Sequence, residues 1–239
     1  MNVNWIDITV QLADGMWRSL LIFGLTLLFS LPLGLVVAFG RMNKWAPLRF
    51  LRKHPFAPFR WLAKLRPIQL ITKLYISVLR GTPLMLQLLV IYFGPYYLFG
   101  ISISISYQFY AVIIAFAINY SAYFAEIYRS GIEAISKGQY EAAQVLGYTK
   151  RQTFFKIILP QVVRIILPPT TNEIITLTKD TSLSFVLAYA EMFTEAKFIA
   201  ARTTSMVPLA VAGPTYYIFN LLVAFGMEKL EARMDYTKR

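Results

Sequence analysis

The feature that most limits how this chain folds is a run of about 24 residues, Met16 to Phe39, in which Arg18 is the only ionisable side chain. As a helix it is ~36 Å long, enough to cross a hydrocarbon core of about 30 Å. It does not read as a cleavable leader. Asp7 and Asp14 precede it, and no Lys or Arg occurs before Arg18, whereas a signal peptide starts with a basic segment. Other long apolar runs follow, and the composition agrees with them. The chain is 57% hydrophobic and 15% charged, against roughly 25% charged in soluble domains, and its mean hydropathy is +0.53. Residues 1–239 are therefore read as a single all-α transmembrane domain, and disordered or collagen-like chains are excluded.

Composition also removes several chemistries. There is no cysteine and one histidine, His54, so disulfides, iron-sulfur clusters, thiolate zinc sites and sites built on several imidazoles are out. No catalytic residue and no metal site is expected. Nothing matches a phosphate-binding loop, so energy for pumping must come from a partner or an ion gradient.

The net charge of +12 is placed where it sets topology. Ten basic residues and no acid lie between Arg41 and Arg80. Hydrophobic spans flank this run, which argues against a nucleic-acid patch. The positive-inside rule assigns a basic cytoplasmic insertion at about 41–67 instead, able to touch anionic lipid headgroups. Five crossings follow, with the N-terminus outside and the C-terminus inside. They are Met16 to Phe39; a helix from Ile68 to Phe93 ended by Gly94-Pro95; Phe109 to Ile127; an interrupted segment from Thr153 to Leu177; and Val207 to Met227. Pro160 and Pro168-Pro169 make a straight helix over 153–177 unexpected. The stretch from Ile101 to Tyr107 alternates isoleucine and serine, fitting an external loop or a brief extended segment. Lys179 to Ser205 is more polar and reads as a half-buried outer segment. Within the first span Ser30, Gly34 and Ala38 repeat every four residues, leaving a low face for another helix.

Residues 129–156 form a second polar cytoplasmic loop. Within it Glu141-Ala142-Ala143 makes a compact helical turn, and Gly147 stands where a C-terminal cap would end it. The spacing from Glu141-Ala142-Ala143 through Gly147 to Ile157, Leu159 and Pro160 resembles the cytoplasmic loop of the permease subunits of bacterial ABC importers. Arg80-Gly81-Thr82-Pro83-Leu84, the stretch from Tyr123 to Ile132 leading to Gly138-Gln139, and Asn172-Glu173 through Lys179-Asp180-Thr181-Ser182-Leu183 are similar to the polar amino acid uptake branch. The likeness covers roughly residues 9 to 230. Two features depart from it: a longer basic insertion, and Ser184-Phe185-Val186-Leu187-Ala188 in place of a valine-rich continuation.

The resemblance implies a type I ABC importer permease fold in a multi-pass protein of the bacterial cytoplasmic (inner) membrane, with no enzymatic activity of its own. It implies ABC ATPase subunits docked on Glu141, Ala142, Ala143 and Gly147, a second permease subunit, identical or not, and an extracytoplasmic substrate-binding protein. ATP and Mg would be bound by the ATPase; this chain carries no cofactor and binds no nucleic acid.

Polar residues inside spans give a separate route to a site, because ionisable groups at that depth are costly and point into cavities or pair with one another. Asn119, Tyr123 and Glu126 recur at i, i+4 and i+7, and Glu173 and Asp180 are likewise seven apart. With Arg80 they form the expected substrate site: Asn119, Tyr123, Glu173, Asp180 and Arg80. The structural alternatives are that Lys179 and Asp180 anchor a helix end and that Glu126 pairs with Arg129. A gradient-driven secondary transporter is the alternative function, and it would require coupling-ion ligands and usually an internal repeat.

Overall fold

Helix α1 (Trp5–Met42) lies along the central helix α4 (Tyr107–Glu133). The computed structural model describes residues 5–48 and 64–234. The buried face of α1 recurs every three or four residues through Leu12, Gly15, Ser19, Ile22, Thr26, Ser30, Gly34 and Ala38. The expected small-residue face is thus the contact face. A Cβ at Gly34 would sit 2.9 Å from Phe124 Cβ and 3.1 Å from the Ser121 carbonyl, so the two backbones approach closely only because that atom is missing. Around α4 the core gathers Ile22, Leu88, Val112, Phe116, Phe124 and Leu177. At 38 residues, or ~57 Å, α1 is longer than the expected span, and its first turns pack beyond it, where Ile8 and Leu12 meet Met192, Ala196 and Ile199.

The second expected helix is corrected. It is two helices, α2 (Pro67–Gly81) and α3 (Leu84–Phe99), bent by 110°. Thr82 precedes a proline, which disfavours the helical region there, and it sits at φ −122°, ψ 148°. Gly94-Pro95 does not end α3 as expected. Pro95 lies inside the helix, and the carbonyl four residues back, on Ile91, accepts from the Tyr107 hydroxyl at 3.1 Å instead. Gly100, in the left-handed region at φ 67°, is the actual stop.

After α5 (Lys137–Val145) and the short α6 (Lys150–Gln152) comes a π-helical segment, Thr153–Ile158, which leads into α7 (Leu159–Asp180). The irregularity expected from the prolines falls here, ahead of Pro160. Pro160 occupies the first turn, where no helical N–H is needed, and α7 continues through Pro168-Pro169. A 3-10 helix (Thr181–Leu187), α8 (Met192–Thr203) and α9 (Val207–Met234) complete the chain. The described residues contain no strand, so Ile101 to Tyr107 is a loop. Among the described residues three helices, α1, α4 and α9, are long and apolar enough to cross a membrane, and the α2–α3 pair gives a fourth if taken as one bent span. The expected fourth crossing, over 153–177, falls on the π-helical segment and α7; at 22 residues α7 is shorter than the other three, and it carries Arg164, Glu173, Lys179 and Asp180. His54 and residues 49–63 of the basic insertion lie outside the described residues.

Candidate substrate cavity and coupling loop

Three elements meet at the polar face of α4. Arg80 leaves the last turn of α2, and its guanidinium lies 5.1 Å from the centroid of the Tyr123 ring, a cation-π distance. From α7, Asp180 accepts a hydrogen bond from the Tyr120 hydroxyl at 2.7 Å. Glu173, two turns earlier on α7, is half-buried, and its electrostatic neighbours are Arg80 and Asp180. Among the described residues no hydrogen bond or ion pair holds its carboxylate. The structure therefore brings Arg80 against Tyr123 with Glu173 as its acidic neighbour, and sets Asp180 on Tyr120 with Lys179 beside it.

Asn119 has a different duty. It is 4% exposed, and its amide donates to the Leu79 carbonyl at 3.1 Å and to Gln87 Oε1 at 3.0 Å. Gln87 in turn donates to the Leu79 carbonyl at 2.9 Å and to Thr82 Oγ1 at 2.8 Å. These bonds fasten both arms of the α2–α3 bend to α4, so Asn119 holds in place the corner that presents Arg80. Glu126 follows its structural alternative: Arg129 Nε donates to it at 3.0 Å, and the same guanidinium also pairs with Glu133.

Two groups escaped the sequence reading. Tyr120 carries no signal of its own, since its partner Asp180 is 60 residues away. Glu191 is fully buried as the N-cap of α8, accepting from the N–H groups of Phe193 at 2.9 Å and Thr194 at 2.7 Å. It also accepts from Thr194 Oγ1 at 2.8 Å and from the Tyr216 hydroxyl of α9 at 2.6 Å. Ser19 of α1 lies 3.3 Å away. Burial raises the Glu191 carboxyl above its ordinary pKa, against the pull of the Tyr216, Phe193 and Thr194 bonds. Gly15 makes this node possible, because a Cβ there would come within 2.7 Å of Met192 Cα.

In the second polar loop, α5 begins at Ser136, whose hydroxyl accepts from the Gly138 N–H, and ends in a glycine cap. Gly147 has φ 77°. The Tyr148 N–H reaches the Ala143 carbonyl and the Gly147 N–H reaches the Gln144 carbonyl, both at 3.0 Å, the paired bonds of a Schellman motif. Thr149 and Gln152 form a capping box at once after it. Ala143 is buried, Glu141 and Ala142 are exposed, and Val145 and Leu146 stand 87% and 73% exposed. The helix is short, capped at both ends, and shows two exposed aliphatic side chains next to its glycine stop.

Residues 60–236 match the family model described as binding-protein-dependent transport system inner membrane component. The L-cystine transport system permease protein TcyB of Bacillus subtilis is 33% identical over 94% of this chain and 86% of its own length. The arginine transport system permease protein ArtQ of the same organism is 34% identical over 92% and 91%. A crystal structure of an amino acid ABC transporter with histidines superposes with a TM-score of 0.79 at 31% identity, covering 98% of this chain and all of the other. The methionine ABC transporter MetNI, in an inward-facing form, shares the fold with a TM-score of 0.70 at 16% identity over 96% and 98% of the two chains.

Proposed function

The chain belongs to the inner membrane components of binding-protein-dependent transport systems and is a permease subunit of an amino acid ABC transporter, and from that footing we propose that it imports a polar amino acid across the bacterial cytoplasmic membrane. The observation that carries the substrate reading is Arg80, at the α2–α3 corner, acting on the unbonded carboxylate of Glu173 on α7. A free amino acid is a zwitterion, and stripping water from its charged ends is expensive unless opposite charge replaces it. Arg80 suits the carboxylate, Glu173 and Asp180 suit the ammonium or a basic side chain, and Tyr123 adds a neutral wall. Two acids against Arg80 put a basic ligand only slightly ahead of a neutral one, because Lys179 stands beside Asp180. Relatives named for cystine, arginine and glutamine span both kinds. The expected result for Glu173→Gln, which keeps the shape and removes the charge, is at least about tenfold slower uptake of every carried amino acid in proteoliposomes, at an unchanged unfolding temperature. Wild-type uptake would remove Glu173 from the site.

Coupling runs through Glu141, Ala142, Ala143 and Gly147. In this reading α5 sits in a groove of an ATPase subunit that binds ATP and Mg, a second permease subunit completes the pathway, and an external binding protein delivers the ligand. Closure of the ATPases displaces α5. The π-helical segment touches α5, α6 and α7 and carries the displacement to the helix holding Glu173 and Asp180, in a rigid-body switch. Gly147→Val forces a branched side chain into a left-handed conformation. It should abolish substrate-stimulated ATP hydrolysis by the assembled complex while the permease remains folded, and normal stimulation would refute the docking assignment. For the topology, a membrane-impermeant thiol reagent should label a cysteine at Ser104 from outside intact cells and spare one at Arg52; labelling at position 52 would invert the scheme. The gradient-driven alternative gains no support from the relatives.

A further inference from the structure

A cavity of about 430 Å³ lies between the start of α7 and the end of α9, within the range of about 300–1,000 Å³ that small ligands occupy. It is separate from the candidate substrate site, because Arg164 in its wall precedes Glu173 by nine residues, ~14 Å along the helix. Its charged side chains come from two facing helices. Arg164 and Pro168 recur at i and i+4 on α7, and Glu228, Glu231 and Ala232 recur at i, i+3 and i+4 on α9. Lys229 and Arg233 of α9 are not part of the lining. The Thr171 hydroxyl donates to Glu231 Oε1 and so fixes that side chain from α7. Among the described residues, Glu231 Oε2 and both oxygens of Glu228 accept no hydrogen bond.

This lining selects its ligand by charge. An apolar molecule would strip water from three charged groups and give nothing back, which is expensive. A simple cation is repelled by Arg164, and a simple anion meets two carboxylates. A ligand with one carboxylate and two cationic groups matches all three side chains, and a free basic amino acid is such a ligand. The planar fork of an arginine holds a carboxylate through two parallel hydrogen bonds.

We propose that this cavity is a second amino acid site, which takes a free basic amino acid with its carboxylate on Arg164 and its two cationic groups on Glu228 and Glu231. Bound there, the ligand bridges α7 and α9, adding to the 2.8 Å hydrogen bond from Thr178 to Asn220 that already joins them. The choice of ligand rests on the chain's being an amino acid permease, and it requires neither Glu173 nor Asp180 in the transport site.

The chain has no cysteine, so Ala232→Cys puts a unique thiol in the cavity wall, and Arg233→Cys puts one just outside it as a control. In nanodiscs holding the permease with its ATPase, L-arginine should slow maleimide alkylation at position 232 at least about fivefold by mass action and leave position 233 unchanged. Agmatine, which is arginine without its carboxylate, should give no protection. Arg164→Gln and Glu228→Gln, each at an exposed position, should abolish the protection at an unchanged unfolding temperature. Glu173→Gln should retain it. Absent protection at position 232, or equal protection at 232 and 233, would overturn the proposal and leave the cavity to a protein segment. Loss of protection in Glu173→Gln would trace the signal to the transport site and overturn it too. Protection by agmatine, or protection that survives Arg164→Gln, would remove Arg164 as the partner of the carboxylate. Wild-type uptake in Glu173→Gln with protection intact would sink the transport-site reading alone.

Discussion

Glu191 and Asp180 are both carboxylates withdrawn from water next to tyrosines, yet they sit in opposite situations. A carboxylate offers about four lone-pair sites. Those of Glu191 are filled from three directions, by its own helix N-terminus, by Tyr216 of α9 and by Ser19 of α1. Asp180 accepts one hydrogen bond among the described residues, from Tyr120. It stands where α7 passes into the 3-10 helix, and its carboxylate makes no capping hydrogen bond there. The first acid is consumed by the fold, and the second keeps acceptor capacity in hand. In the proposed function it is this unspent capacity, and not burial or charge alone, that makes Asp180 rather than Glu191 the candidate ligand.

The sharpest break of this comparison is a pair of substitutions. Glu191→Ala leaves the Tyr216 hydroxyl and two N–H groups of α8 without their acceptor in a sealed node, and should cost about 3–5 kcal/mol, read as a large fall in unfolding temperature in detergent and loss of the assembled complex. Asp180→Asn should cost less than about 1 kcal/mol and still abolish most uptake in proteoliposomes. Equal stability losses in the two variants would erase the distinction between them.

A smaller effect is expected with pH. Because burial raises the Glu191 carboxyl, the folded protein holds that proton more tightly than a solvated glutamate does. The resulting stability is fully present below the pKa of the solvated group and is lost as pH rises through the folded value. The unfolding temperature of the wild type should therefore decline across that window relative to Glu191→Gln, which carries no titrating proton. Parallel curves for the two proteins would show that the bonds from Tyr216, Phe193 and Thr194 fully offset the burial.

Much of the scaffold was legible from residue order because it depends on local period and composition. The spans at α1, α4 and α9 follow from uninterrupted apolar length, and the buried face of Ser30, Gly34 and Ala38 follows from a four-residue repeat. The glycine end of α5 is equally local, since the positive φ of Gly147 and the cap bonds lie within six residues. The expected helix over 68–93 passed over Thr82-Pro83, where the chain breaks, and nothing local fixes the angle that the break adopts.

That angle, and most of the chemistry, was decided by which helix faces meet. The bend is held by Asn119, whose carbonyl partner on Leu79 is 40 residues away, so a residue singled out by its spacing braces the corner. Asp180 acquires Tyr120 across 60 residues, and Glu191 acquires Ser19 across 172. Periodicity places a polar side chain on a face, and the sequence by itself determined those faces. Only the packing of one face on another determines whether that side chain's hydrogen-bonding capacity is used up by the fold or left open to a ligand.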